Sequence, residues 1–131
     1  MSIESAFPNA DPGMKPVGSR VLVQLRKPKK KTSGGIILSD DSRDAERDNT
    51  QVAKVISVGS LAFKKRDTLE SWPEGEWCKV GEYIRVPKYA PERWDVRTGN
   101  GVDDFTTFMI VRDTDVIGVV TGDPTTTVAY V

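Results

Sequence analysis

Apolar positions along the chain fall in short alternating runs separated by long polar stretches, and the first clear run is Arg20–Leu25. Its β-branched and aliphatic residues place Val21, Val23 and Leu25 on one face, which predicts a strand. A second strand is predicted over residues 51–58, closed by Gly59. The turn Lys79-Val80-Gly81-Glu82 leads into a third, over 83–86, whose exit is marked by Pro87. Residues 106–111 and 116–121 predict two more, joined by the compact polar turn Arg112-Asp113-Thr114-Asp115. No stretch sustains a helical period; residues 40–49 offer one charged turn without an apolar face. Five short strands with long excursions predict an all-β fold, a small, partly open five-stranded barrel.

The polar stretches set the organisation around that barrel. Residues 1–14, with two prolines and little period, read as a mobile or surface-bound N-terminal arm. The barrel domain spans 15–121 and contains two insertions. One, over 26–50, runs from Lys27-Pro28-Lys29-Lys30-Lys31 through a Thr-Ser-Gly-Gly turn to a series of acidic residues, and only Ile36-Ile37-Leu38 interrupts its polarity. Such a segment buries too little apolar surface to offset its ordering entropy, so it is expected to be mobile in the isolated protein. Loops of this length inside a small domain are usually functional. The other insertion, over 60–78, carries the turn signal Trp72-Pro73-Glu74-Gly75 and reads as a long hairpin or excursion. A Pro- and Thr-rich tail, 122–131, closes the chain.

Composition narrows the chemistry. Nineteen basic residues balance nineteen acidic ones, which argues against a general field for nucleic acid or anionic membrane. There is no histidine and one cysteine, Cys78, so histidine-dependent triads, the usual zinc sites and an intramolecular disulfide are excluded. A nucleotide-binding Gly-x-x-x-x-Gly-Lys-Ser/Thr loop is also missing. We therefore expect no enzymatic activity and no cofactor. Without an apolar run of spanning length or a secretory signal pattern, the expected compartment is the cytoplasm.

The order of these features resembles the small co-chaperonins of the GroES type. Lys15-Pro16-Val17-Gly18-Ser19-Arg20-Val21-Leu22-Val23 is similar to the family's opening proline and first strand. Ser33-Gly34-Gly35-Ile36-Ile37-Leu38 resembles its mobile-loop signature, and Ala53-Lys54-Val55-Ile56-Ser57-Val58-Gly59 resembles the strand ending in Val-Gly. Val80-Gly81-Glu82-Tyr83-Ile84 is similar to its Val-Gly-Asp turn, and Phe108-Met109-Ile110-Val111 with residues 115–120 to its closing strand pair. The resemblance implies a homo-heptameric ring that caps a large GroEL-type chaperonin, with ATP bound by that partner and a client protein enclosed beneath. It also implies that Ile36, Ile37 and Leu38 dock on the chaperonin's apical domains, with Gly34 and Gly35 supplying the turn. For Val21, Val23, Ile117 and Val119 the expectation is core or subunit interface, the first strand of one copy pairing with the last strand of the next.

The loops and both ends are longer than the family pattern, which fits a virus-encoded member acting on a large client such as a capsid protein in the host cytoplasm. Two other readings compete with it. A small barrel that binds single-stranded nucleic acid needs exposed aromatics along a basic groove, whereas Trp72, Trp77 and Trp94 fall in inserted loops, as chamber lining or as anchors. A zinc-dependent dehydrogenase with a GroES-like domain needs ligands and a dinucleotide domain that are missing. Asp113, Asp115 and the acidic residues between 40 and 48 lack calcium-loop spacing and read as turn formers.

Overall fold

In a computed structural model of the chain, the structure describes residues 3–27, 52–87, 92–101 and 104–126. Six strands build one antiparallel sheet: β1 (Arg20–Leu25), β2 (Val52–Val58), β3 (Tyr83–Arg85), β4 (Arg93–Arg97), β5 (Phe105–Arg112) and β6 (Gly118–Val119). Their order across the sheet is β4-β5-β1-β2-β3-β6, and the sheet does not close, so β4 and β6 form its two ends. The all-β expectation holds with six strands in place of five. The expected last strand narrows to Gly118–Val119, although the N–H groups of Ile117 and Val120 still donate to the carbonyls of Arg85 and Tyr83 at 2.9 and 2.8 Å.

The additional strand is β4, which the sequence reading left inside a loop. Its five residues are mostly charged, and only Trp94 and Val96 carry the alternation of an edge strand. Pairing supplies what composition does not signal. Trp94 lies opposite Phe108 and stacks on it with centroids 6.1 Å apart, and Asp95 accepts a 2.7 Å hydrogen bond from the Thr107 hydroxyl opposite. Trp94 therefore belongs to the sheet.

One face of the sheet carries the main core: Val21, Val23 and Leu25 from β1, Ala53 and Val55 from β2, Ile84 from β3, and Met109 and Val111 from β5. β1 is the central strand, flanked by β2 and β5, and five of its six residues are buried. Alternation accounts for Val21, Val23 and Leu25. Leu22 and Gln24, on the opposite face, are buried as well.

The N-terminal arm covers that opposite face. Residues Ile3–Ala6 form one helical turn, α1, which seats Ala6 and Phe7 against Val52, Tyr83 and Val120. Phe7 meets the Tyr83 ring at a 5.0 Å centroid distance. Further along, Gln24 Nε2 donates to the Pro8 carbonyl at 2.6 Å and to Thr106 Oγ1 at 2.9 Å, and Trp94 Nε1 donates to the Pro12 carbonyl at 3.0 Å. The arm thus crosses the sheet from β3 past β1 to β4. Beneath it, the Gln24 amide and the Trp94 indole N–H are answered by backbone carbonyls and a hydroxyl.

The excursion between β2 and β3 turns back on itself through a bridge between Lys64 and Ser71, with Trp72 N–H donating to the Phe63 carbonyl at 3.0 Å. Trp72 and Trp77 lie 4.7 Å apart, and both pack around Phe63 and the main core. These two tryptophans are anchors, each holding a long excursion to the body by a large apolar surface.

Candidate functional site

Ile36, Ile37, Leu38, Gly34 and Gly35 lie outside the described residues, but both roots of their segment are in view. β1 ends at Leu25 and β2 begins at Val52, and the two are hydrogen-bonded neighbours, with Leu25 opposite Ala53. One step beyond, Arg26 N–H donates to the Val52 carbonyl at 3.1 Å, and Lys27 N–H donates to the Ala6 carbonyl at 2.9 Å. The pair of roots therefore leaves the sheet from one end, side by side.

The N-terminal arm and the turn around Pro124 brace that exit. Val52 is fully buried beneath Ala6 and Phe7. On the other side the guanidinium of Arg26, itself buried, donates to the Pro124 carbonyl at 3.0 Å. Pro124 is held in a turn in which Asp123 accepts from the Thr125 backbone N–H at 2.9 Å and the Thr125 hydroxyl at 2.7 Å. Those two bonds, the hydroxyl first, hold the Asp123 carboxyl below its ordinary pKa. Sequence reasoning missed this bracing. Phe7, a large aromatic within a polar arm, was the available signal for one half of it, and the Asp-Pro-Thr turn for the other.

The residues expected at a core or subunit interface separate into two pairs. Val21 and Val23 are completely buried in their own chain, and both edges of their strand are taken by β2 and β5, so they are core residues with no surface to offer a neighbour. Ile117 and Val119 are different: they are 59% and 40% exposed, at the β6 end of the sheet. Met14 and Val17, at the start of the segment leading into β1, are also exposed, at 52% and 59%. Exposed apolar side chains at the β6 end of the sheet can be covered by strand addition between copies.

Little in the described residues suggests reaction chemistry. The Asp113 carboxylate accepts from the N–H groups of Phe63 and Thr114 at 3.0 and 2.8 Å, and Asp115 accepts from the Arg112 N–H at 3.1 Å, so both stabilise the turn after β5. Cys78 is a buried free thiol whose pKa is pushed up to about 11, first by burial and then by the nearby charges of Glu82 and Glu76. A thiol held neutral in this way is a poor nucleophile. Among the described residues no group of three or more potential ligands gathers around a metal position, and no helix is long and apolar enough to cross a membrane.

Comparison with known proteins places this architecture among relatives. The family described as the chaperonin 10 Kd subunit matches residues 13–120. The co-chaperonin GroES of Bacillus licheniformis is 31% identical over 111 residues, covering 82% of this chain and 98% of that protein. That of Bacillus subtilis is 30% identical with the same coverage, and that of Listeria welshimeri is 26% identical over 106 residues, covering 81% and 97%. The family match begins at residue 13, after the helical turn and Phe7 of the arm.

Proposed function

Because this chain belongs to the chaperonin 10 kDa subunit family, we propose that it is a non-enzymatic co-chaperonin that forms a ring-shaped lid on an ATP-bound large chaperonin of the GroEL type. Ile36, Ile37 and Leu38 are the groups that dock on the partner's apical domains, and Gly34 and Gly35 form the turn that presents them. Ile117 and Val119 contact the next subunit in a homo-heptameric ring. The nucleotide is the partner's, and the client folds in the chamber closed by the lid; the long loops suit a large client such as a capsid protein.

The observation that carries this reading is the paired exit of the segment between residues 27 and 52 from one end of the sheet. A hook of three aliphatic residues on such a stem gains roughly 1.5–3 kcal/mol per buried side chain. Ordering the backbone around it costs roughly 1–2 kcal/mol per residue. One hook therefore binds weakly. Several on one ring share an effective concentration, which allows firm closure and later release as the partner's nucleotide state changes.

The test is co-sedimentation with a large chaperonin in the presence of ATP, comparing the native chain with Ile37→Asp. The variant is expected to assemble normally and to fail to co-sediment. Co-sedimentation equal to that of the native chain removes Ile37 from the docking site. A native chain that never co-sediments removes the function.

A further inference from the structure

At the end of β1 opposite the segment roots, the start of β1, the end of β5 and the excursion after β2 enclose a cleft of about 210 Å³. Five of its lining residues are cationic: Arg20, Lys64, Lys65, Arg66 and Arg112. None is acidic. The whole chain has equal numbers of basic and acidic residues, so this gathering of one sign is local and is produced by the fold. Of the carboxylates near these residues along the chain, Asp113 accepts from Phe63 and Thr114, Asp115 from Arg112, and Asp67 from Thr68 at 2.8 Å, while Glu70 follows Leu69 on the exposed excursion.

The floor of the cleft is built from fixed parts. Leu61 N–H donates to the Gly18 carbonyl at 2.9 Å, Gly59 N–H to the Arg20 carbonyl at 2.8 Å, and Asp113 N–H to the Ser19 carbonyl at 3.0 Å. These bonds tie the turn before β1 to the root of the excursion and to the turn after β5. Arg66 reaches back across the opening, its Nη2 donating to Ser19 Oγ at 2.8 Å. Arginine presents a planar fork of donors matched to phosphate oxygens, and three arginines around one small opening hold several such oxygens at once.

We propose that this cleft is a binding site for a compact oligophosphate, whether free or as the phosphate chain of a nucleotide. The small volume of this half-open cleft favours charge condensed in a short anion over an extended acidic peptide. Leu61 and Leu69, 41% and 56% exposed, add an apolar wall to the cleft.

The experiment is isothermal titration of the full chain with inorganic tripolyphosphate, with ATP and with an oligoglutamate peptide, at low and at physiological salt. Saturable tripolyphosphate binding that weakens with salt is expected, and the double variant Lys65→Gln/Arg66→Gln should weaken it by at least about tenfold. Arg112→Gln, on β5 and outside the excursion, should weaken it too, and keeps the test valid if the double variant fails to fold. Equal binding of ATP and tripolyphosphate identifies the phosphate chain as the whole ligand. Tighter ATP binding that is lost in Leu69→Ser identifies a nucleotide. The proposal is overturned by an absence of saturable phosphate binding, by binding that survives both sets of substitutions, or by oligoglutamate binding as tightly as tripolyphosphate.

Discussion

Gly59 sits where two backbone segments cross. A β-carbon there would collide with the Gly18 carbonyl oxygen and lie 2.9 Å from that of Arg20, and neither can move without breaking the hydrogen bonds around it. Gly59→Ala is expected to destabilise the fold by about 1–3 kcal/mol, the usual cost of overpacking, measured by denaturant unfolding. Cys78 makes a second prediction at this scale. Its folded-state pKa is raised from 9.0 to about 11, so between those values the unfolded chain releases the thiol proton while the folded chain keeps it. The stability this contributes is fully present below pH 9 and is lost as pH rises toward 11. Unfolding measured across that window should show a smaller decline for Cys78→Ser than for the native chain. An identical decline assigns the alkaline loss to other groups.

At the scale of elements, strands with a strong apolar alternation were legible and those defined by their neighbours were not. Val21, Val23 and Leu25 announce β1, and Val55 and Val58 help to announce β2, because burying one face of a central strand demands that pattern. β4 carries three charged residues in five and is specified mainly by its pairing with β5. The arm admits two readings from sequence because the residues that hold it, Phe7, Gln24, Lys27 and Trp94 among them, are far apart along the chain. Phe7→Ala is expected to release its first turn. The Lys27 amide, which donates to the Ala6 carbonyl, should then exchange with solvent at least about tenfold faster, while amides in the centre of β1 keep their protection. Unchanged exchange at Lys27 means that the turn is held by something other than the Phe7 ring.

For the whole molecule, the proposed docking triplet rests on an aliphatic run that stands out within a polar stretch and on the family resemblance, and it lies outside the described residues. The basic cleft was hidden for the opposite reason: Arg20, the cluster from Lys64 to Arg66, and Arg112 meet only after β1, β5 and the excursion have come together. The division of Val21 and Val23 from Ile117 and Val119 likewise depends on which strand has a free side, a property of the completed sheet. Val119→Asp should leave the folded subunit intact, since its side chain is partly exposed, and should shift sedimentation velocity from the proposed ring to monomer. A ring of undiminished size excludes Val119 from the contact between copies.

The convergence of the N-terminal arm and the turn at residues 123–125 on the roots of one segment bears on how the protein can be handled. A fluorescent label attached beside Ala6 or Pro124 would lie next to the contacts that these residues make with Lys27 and Arg26. Bulk added at either place crowds the surface proposed to face the chaperonin. A label inserted in the turn around Arg66 to Leu69, at the far end of β1, leaves that approach clear but occupies the basic cleft.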